Sequence, residues 1–324
     1  MDEPPRQLSF LDAQTDPWSS LRRPDVTVAD TLPAYERYLI GSRKAAQTVA
    51  GFTTDIRQLA AFYPQRPLSD LSTAHLQTFL GHLQRDHRLS EKTITRKTTA
   101  LKSYGAFLVA AKLLASDPAA FLVYPALHLP LPEVLSPEEM QRLLQAAQEK
   151  PLWYALIATL RYAGAKREEA LALRREDVVF AGPTLTIALR KRRPSRYGRD
   201  RIVPLTEPLR QILRQYLAGL EGPYLFPLHV RSVKWGLAHY AQRAGIARPV
   251  SAETLRDTFA VSWLQERLAS EAELARLGLE EALAAVREQH DRGLIAVLGL
   301  AEGTRHAEEA VRAYRTLVEV SPAS

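Results

Sequence analysis

Apolar residues recur at helical spacing through the first third of the chain. Leu32, Tyr35, Tyr38 and Leu39 form one stripe, and Val49, Phe52, Ile56, Leu59 and Tyr63 a second. Leu76, Phe79, Leu80 and Leu83 form a third, behind Ser72, whose hydroxyl can cap a helix start. Ser90 precedes a fourth, with Ile94, Leu101, Tyr104 and Leu108 on its apolar side. The pattern predicts a helical domain over residues 27–122. The polar, proline-bearing residues 1–26 read as a flexible tail. Pro125, Pro130 and Pro132 interrupt the periodicity over 123–134, which reads as an extended linker.

A second domain is expected over 135–324. Ser136-Pro137-Glu138-Glu139 places a hydroxyl at the N-cap, proline at N1 and glutamate at N3, a capping box. Helical spacing continues through Leu143, Leu144 and then Trp153 to Tyr162. Two β-favouring segments, 185–189 and 201–205, bracket a basic loop and predict a hairpin with a long tip. Leu209, Ile212, Leu213 and Tyr216 mark another helix, and 232–244 a further one. Residues 269–290, rich in Ala, Leu, Glu and Arg, predict an inserted or extended helix. The expected fold class is mainly α with a small antiparallel β-sheet, in two domains.

Length and composition fit this reading. The 324 residues suffice for two domains, and 46% hydrophobic with 24% charged residues is the range of soluble globular proteins. There is no cysteine, which excludes disulfides, thiol chemistry and zinc-thiolate sites. The histidines show no metal-ligand spacing, so neither metal nor cofactor is expected. No apolar run approaches the roughly 18 residues of a membrane span, and the start lacks a signal-peptide order; a cytoplasmic protein is expected.

A net charge of +7 favours a polyanionic partner. The charge is concentrated. Arg190, Lys191, Arg192, Arg193, Arg196 and Arg199 crowd the hairpin tip, opposed by Asp200. The fourth helix carries Thr95, Arg96, Thr99, Lys102 and Ser103 on its polar face, and Lys234 lies on a later helix. Cations interleaved with hydroxyls suit contacts to a phosphate backbone. A solvated face has the same pattern, and that alternative stays open.

Several motifs, in order, resemble those of the tyrosine recombinases, the phage-integrase family. Leu89-Ser90, Thr93-Ile94, Ala100-Leu101-Lys102, Tyr104 and Phe107-Leu108 are similar to a stretch of its N-terminal core-binding domain. Glu169, Leu173 and Asp177 anchor its first box, and Arg201-Ile202-Val203-Pro204-Leu205 its closing hairpin strand. Leu225-Phe226-Pro227 and Ala244-Gly245-Ile246 follow. Leu255, Arg256, Thr258, Phe259 and Ala260 then match the second box, Thr-Pro-His-x-Leu-Arg-His-Thr-Phe-Ala.

The resemblance implies two domains that clamp double-stranded DNA. A tyrosine oxygen attacks a phosphodiester, leaving a 3′-phosphotyrosyl link and a free 5′-hydroxyl, with no ATP or metal. It further implies a tetrameric synapse or a partner recombinase. Carried onto this chain, Tyr314 takes the place of the nucleophile, Arg256 of the second catalytic arginine and Lys191 of the hairpin lysine. Lys166 stands where the first catalytic arginine belongs, and Glu253 where the box histidine belongs. The third-box histidine is replaced by Leu300, or its role falls to His306, eight residues before Tyr314. The stretch between Arg256 and Leu298-Gly299 is longer than in the family. Two functions remain open: a site-specific recombinase, or a catalytically impaired DNA-binding or architectural protein on the same scaffold. A basic helical scaffold for RNA or protein is a more distant third. Tyr314 also has the setting of a packed core aromatic.

Overall fold

The computed structural model describes residues 18–125, 131–180, 186–189 and 200–320. These residues divide into two compact units, one on each side of Leu129 and Pro130.

The first unit is built from α1 (Val28–Gly41), α2 (Ala46–Phe62), α3 (Thr73–Arg85) and α4 (Glu91–Ala110). Thr27 caps α1 in a capping box with Asp30, and the Ser90 hydroxyl accepts from the Thr93 amide at the start of α4. The apolar stripes meet around Tyr35, Ile56, Leu59, Phe79, Tyr104 and Phe107, all buried. The rings of Tyr35 and Tyr104 meet edge-on, and the Tyr104 hydroxyl shares a 2.6 Å hydrogen bond with Thr31. One charged contact lies inside this shell. Asp55 of α2, 2% exposed, accepts from Lys97 Nζ at 2.7 Å and from both terminal nitrogens of Arg96 on α4.

The second unit begins with α5 (Pro137–Ala147), α6 (Pro151–Tyr162) and the short α7 (Arg167–Ala172). The box at Ser136 forms, with the Glu139 amide on Ser136 Oγ and the Glu139 carboxylate on the Ser136 amide. Residues 155–160 of α6 are all buried, which makes α6 the central helix of this unit. Three antiparallel strands follow in the order β1 (Val178–Val179), β2 (Thr186–Leu189) and β3 (Arg201–Pro204). Ile187 opposes Val203 and Leu189 opposes Arg201. The hairpin expected from the sequence is therefore part of a three-stranded sheet. β1 was not anticipated, because two residues carry no alternation.

The chain continues through α8 (Glu207–Ala218), α9 (Val230–Arg243) and α10 (Ala252–Gln265), and then α11 (Leu268–Arg276), α12 (Glu280–Leu298) and α13 (Arg305–Val320). The stretch expected as one inserted or extended helix is thus two helices. Gly278, at φ +67°, turns the chain between them, in a conformation that side chains with a Cβ resist. A buried carboxylate ties them to α13. Glu271 of α11 accepts from Arg287 at 3.1 Å, from His290 at 2.7 Å and from both terminal nitrogens of Arg315. Burial works against its ionisation, but the bonds from Arg315 and His290 hold its carboxyl below the usual glutamate range. Among the described residues, no helix is long and apolar enough to cross a membrane.

The Asp55 contact separates buried from exposed electrostatics. Asp55→Ala strands the buried Lys97 ammonium and should cost about 3–5 kcal/mol in urea unfolding. Asp86→Ala, which breaks the exposed His82–Asp86 pair, should cost no more than about 1 kcal/mol.

Candidate active site

The second-box sequence folds as α10. Ser251 caps it, accepting from the Thr254 amide at 3.1 Å. The helix is buried from Thr254 through Val261. Arg256, 2% exposed, points into the unit. Its two terminal nitrogens donate to the main-chain carbonyls of Gly164 and Leu298. A second guanidinium lies beside it. Arg201 of β3 donates to the Gly164 carbonyl at 3.0 Å, to Val297 O, and to Glu169 at 2.6 Å. The two arginines therefore share one carbonyl and cap the last carbonyls of α12. Burial lowers the Arg256 pKa, and the like charge of Arg201 lowers it further. No carboxylate lies within salt-bridge distance of Arg256 among the described residues.

Tyr314 comes to the same place. It sits on α13 at 5% exposure, and its hydroxyl donates to Asp257 Oδ1 at 2.6 Å. The phenol thus reaches the residue that follows Arg256. Burial and the neighbouring Asp257 carboxylate both raise the tyrosine pKa. Burial also lifts Asp257, to about 6; Glu253 adds to the rise, while the Tyr314 bond and Arg256 oppose it. Around them Phe259, Val261, Leu264, Leu294, Leu298, Val311 and Val318 form an apolar cluster.

The remaining candidates are placed as follows. Lys166 is half-buried at the N-cap of α7, its amide on Glu169 at 2.7 Å. Arg167 is turned to the surface against Glu168. Glu253 is exposed in the first turn of α10, where a carboxylate also favours the positive helix end. Leu300 packs against the apolar cluster that contains Tyr314. His306 is exposed on the first turn of α13. On α4, Thr99 is exposed with its hydroxyl on the Thr95 carbonyl, Arg96 is held by Asp55, and Lys102 donates to the carbonyls of Ala119 and Ala120. Lys234 is exposed on α9. Arg190, Lys191, Arg192, Arg193, Arg196 and Arg199 lie outside the described residues.

Asp257, Arg201 and Glu169 are the site groups that pattern reading did not assign a role. Asp257 carried a signal, since it stands where the second box has its later histidine. For Arg201 the buried guanidinium had none, because an arginine at a strand start reads as exposed.

Two family models match the chain. Residues 32–112 match "Phage integrase, N-terminal SAM-like domain", and residues 133–278 match "Phage integrase family". The second match ends before α12, so Leu300, His306 and Tyr314 lie beyond it. A tyrosine recombinase of Pseudothermotoga lettingae is 27% identical over 72% of this chain and 84% of its own. Tyrosine recombinase XerC of Erythrobacter litoralis is 31% identical over 68% of this chain and 74% of its own. Among solved structures, a lambda integrase tetramer bound to a Holliday junction aligns with a TM-score of 0.66 at 14% identity, covering 90% of this chain and 78% of that one. The XerH recombinase in a post-cleavage complex with palindromic difH substrate aligns at 0.62 and 15% identity, covering 91% and 84%. At these identities the structural likeness is one of fold.

Asp257 has a measurable consequence for stability. Its folded pKa of about 6 lies above the usual 3.8. Between these values the folded protein binds a proton that the unfolded chain does not, so this group's contribution to stability falls as pH rises from about 4 to about 6 and stays lost above. Asp257→Asn should remove that loss. We expect the variant to be more stable than wild type at pH 7, by on the order of 1–3 kcal/mol, with the difference shrinking toward pH 4. Equal denaturation curves at pH 7 would contradict it.

Proposed function

Because this chain belongs to the tyrosine recombinase (phage integrase) family, we propose that it binds duplex DNA and cleaves and rejoins its strands through a 3′-phosphotyrosyl link on Tyr314. The observation that carries this reading is the Tyr314–Asp257 hydrogen bond, which brings the late tyrosine to the position next to Arg256. A phenol is a weak nucleophile in its neutral form and needs a cationic site for the charge that grows on the phosphate oxygens. Arg256 supplies a guanidinium that can donate two parallel hydrogen bonds to those oxygens. Lys191, as the hairpin lysine, protonates the leaving 5′ oxygen. Lys166 adds a point charge without the arginine fork.

The site is closed in this conformation. Arg256 turns one N–H of each terminal nitrogen to the carbonyls of Gly164 and Leu298, and both it and Tyr314 are buried. With both groups this buried, a phosphate reaches them only after the helices around them part. DNA engages the basic hairpin tip, the exposed hydroxyl face of α4 and Lys234. A tetrameric synapse in the cytoplasm, on the nucleoid, is the setting that suits this chemistry.

A second reading, DNA binding without cleavage, is favoured by Glu253 and Leu300. Neither supplies the imidazole that the family motif has in its place, and each lost transition-state donor costs about 10²- to 10³-fold.

Covalent capture decides between them. The protein is incubated with duplex fragments of its own genome, denatured, and the attached DNA recovered and sequenced. Tyr314-dependent adducts, absent from Tyr314→Phe, are expected. Abundant native complexes without adducts would establish the binding-only reading, and adducts that persist in Tyr314→Phe would place the nucleophile elsewhere. Separately, Arg193→Ala with Arg196→Ala should weaken binding to all duplexes alike and flatten the salt dependence by about one to two phosphate contacts. An unchanged slope would remove the hairpin tip from the interface.

A further inference from the structure

A phenol that attacks phosphorus must lose its proton; Glu253 stands in place of the second-box histidine, Leu300 lies in the apolar cluster and His306 is exposed. Among the described residues, Tyr314 Oη has one acceptor in contact. Asp257 Oδ1 lies 2.6 Å away, both residues are buried, and the two are separated by 57 positions in sequence. The contact is thus made by the packing of α13 on α10 and is not a local turn. The carboxylate projects from α10 directly after Arg256, so the groups that would bind phosphate and accept the proton share one rigid helix.

We propose that Asp257 is the general base for Tyr314, an assignment that rests on the phosphotyrosyl reading above. In the forward step the Oη–H bond breaks and its proton passes to Asp257 Oδ1. The Oη–P bond forms as the P–O5′ bond breaks, and the 5′ oxygen takes a proton from Lys191. In the reverse step the DNA 5′-hydroxyl returns its proton to Lys191, and protonated Asp257 returns its own to the phenol. Atoms and charge balance with no further reactant.

The surroundings suit the task. An ordinary carboxylate is a feeble base, and burial raises this one to about 6, closer to neutral pH yet still ionised there. The charged and titratable groups acting on it are Tyr314 from α13 and Glu253 and Arg256 from α10. Asparagine at this position keeps an oxygen that can accept the phenol hydrogen bond but cannot take the proton, which separates holding from catalysis.

The test uses the full chain and a duplex recovered by the covalent capture, made with either oxygen or sulfur at the scissile 5′ position. A sulfur leaving group needs no acid, so a defect that persists with it lies on the nucleophile side. Asp257→Asn should slow adduct formation by about 10²-fold or more on both duplexes while binding them as wild type does. Asp257→Glu should recover part of the rate. The wild-type rate should fall as pH drops through about 6, and the Asn variant should lack that limb. If Asp257→Asn forms adducts within a few-fold of wild type while Tyr314→Phe forms none, the base assignment is overturned and the phosphotyrosyl reading stands. If wild type forms no Tyr314-dependent adducts, both fall together.

Discussion

The second unit depends on how the C-terminal end of α12 is closed. The last carbonyls of a helix have no partner inside it and carry the negative end of its dipole. Here two buried guanidiniums meet them, Arg201 on Val297 and Arg256 on Leu298, and both also reach the carbonyl of Gly164. The Gly164 carbonyl thereby joins the loop before α7 to β3 and α10, and the same two arginines tie both to α12. The contact leaves little room. Gly164 has φ +57°, and a Cβ there would lie 2.5 Å from the Phe259 ring. Gly299 ends α12 in the left-handed region at φ +59°, with Arg201 where its Cβ would be.

That arrangement concentrates positive charge inside the unit. Glu169 is ion-paired with Arg201, while Arg256 bonds to main-chain carbonyls and feels Glu253 and Glu169 only at a distance. A buried charge without an ion pair in contact is costly. Asp257 is held above its ordinary pKa in the same pocket, again at a cost to the fold. Such costs cluster where a site has work to do. The helices α11 and α12 act on the same place, because Glu271 grips Arg315, the residue after Tyr314.

Much of this architecture was legible from local patterns. Stripes at helical spacing marked the helices of both units, and Ser90 and Ser136 marked two of their starts, since a capping hydroxyl acts within one turn. The order of the motifs from Leu89 to Ala260 pointed to the family when no single motif was specific. Local reading failed where no periodicity existed, at the two-residue β1, and where one glycine divided a continuous helical pattern, at Gly278. It also offered Arg96 and Lys102 as phosphate contacts or a solvated face, with no sign of their partners inside the fold. The packing gives Arg96 to Asp55 and Lys102 to two carbonyls.

By itself, then, the sequence determined the helical content, the cationic hairpin tip, the family and the presence of Arg256 and a late tyrosine. These follow from residue type and short-range spacing, which the chain carries wherever it goes. Only the tertiary structure decided that Arg256 shares Gly164 with Arg201, that Leu300 joins an apolar cluster while His306 faces solvent, and that Tyr314 meets Asp257. Each of those contacts joins residues far apart in the chain through buried space, and which buried polar group finds which partner is settled when the helices pack.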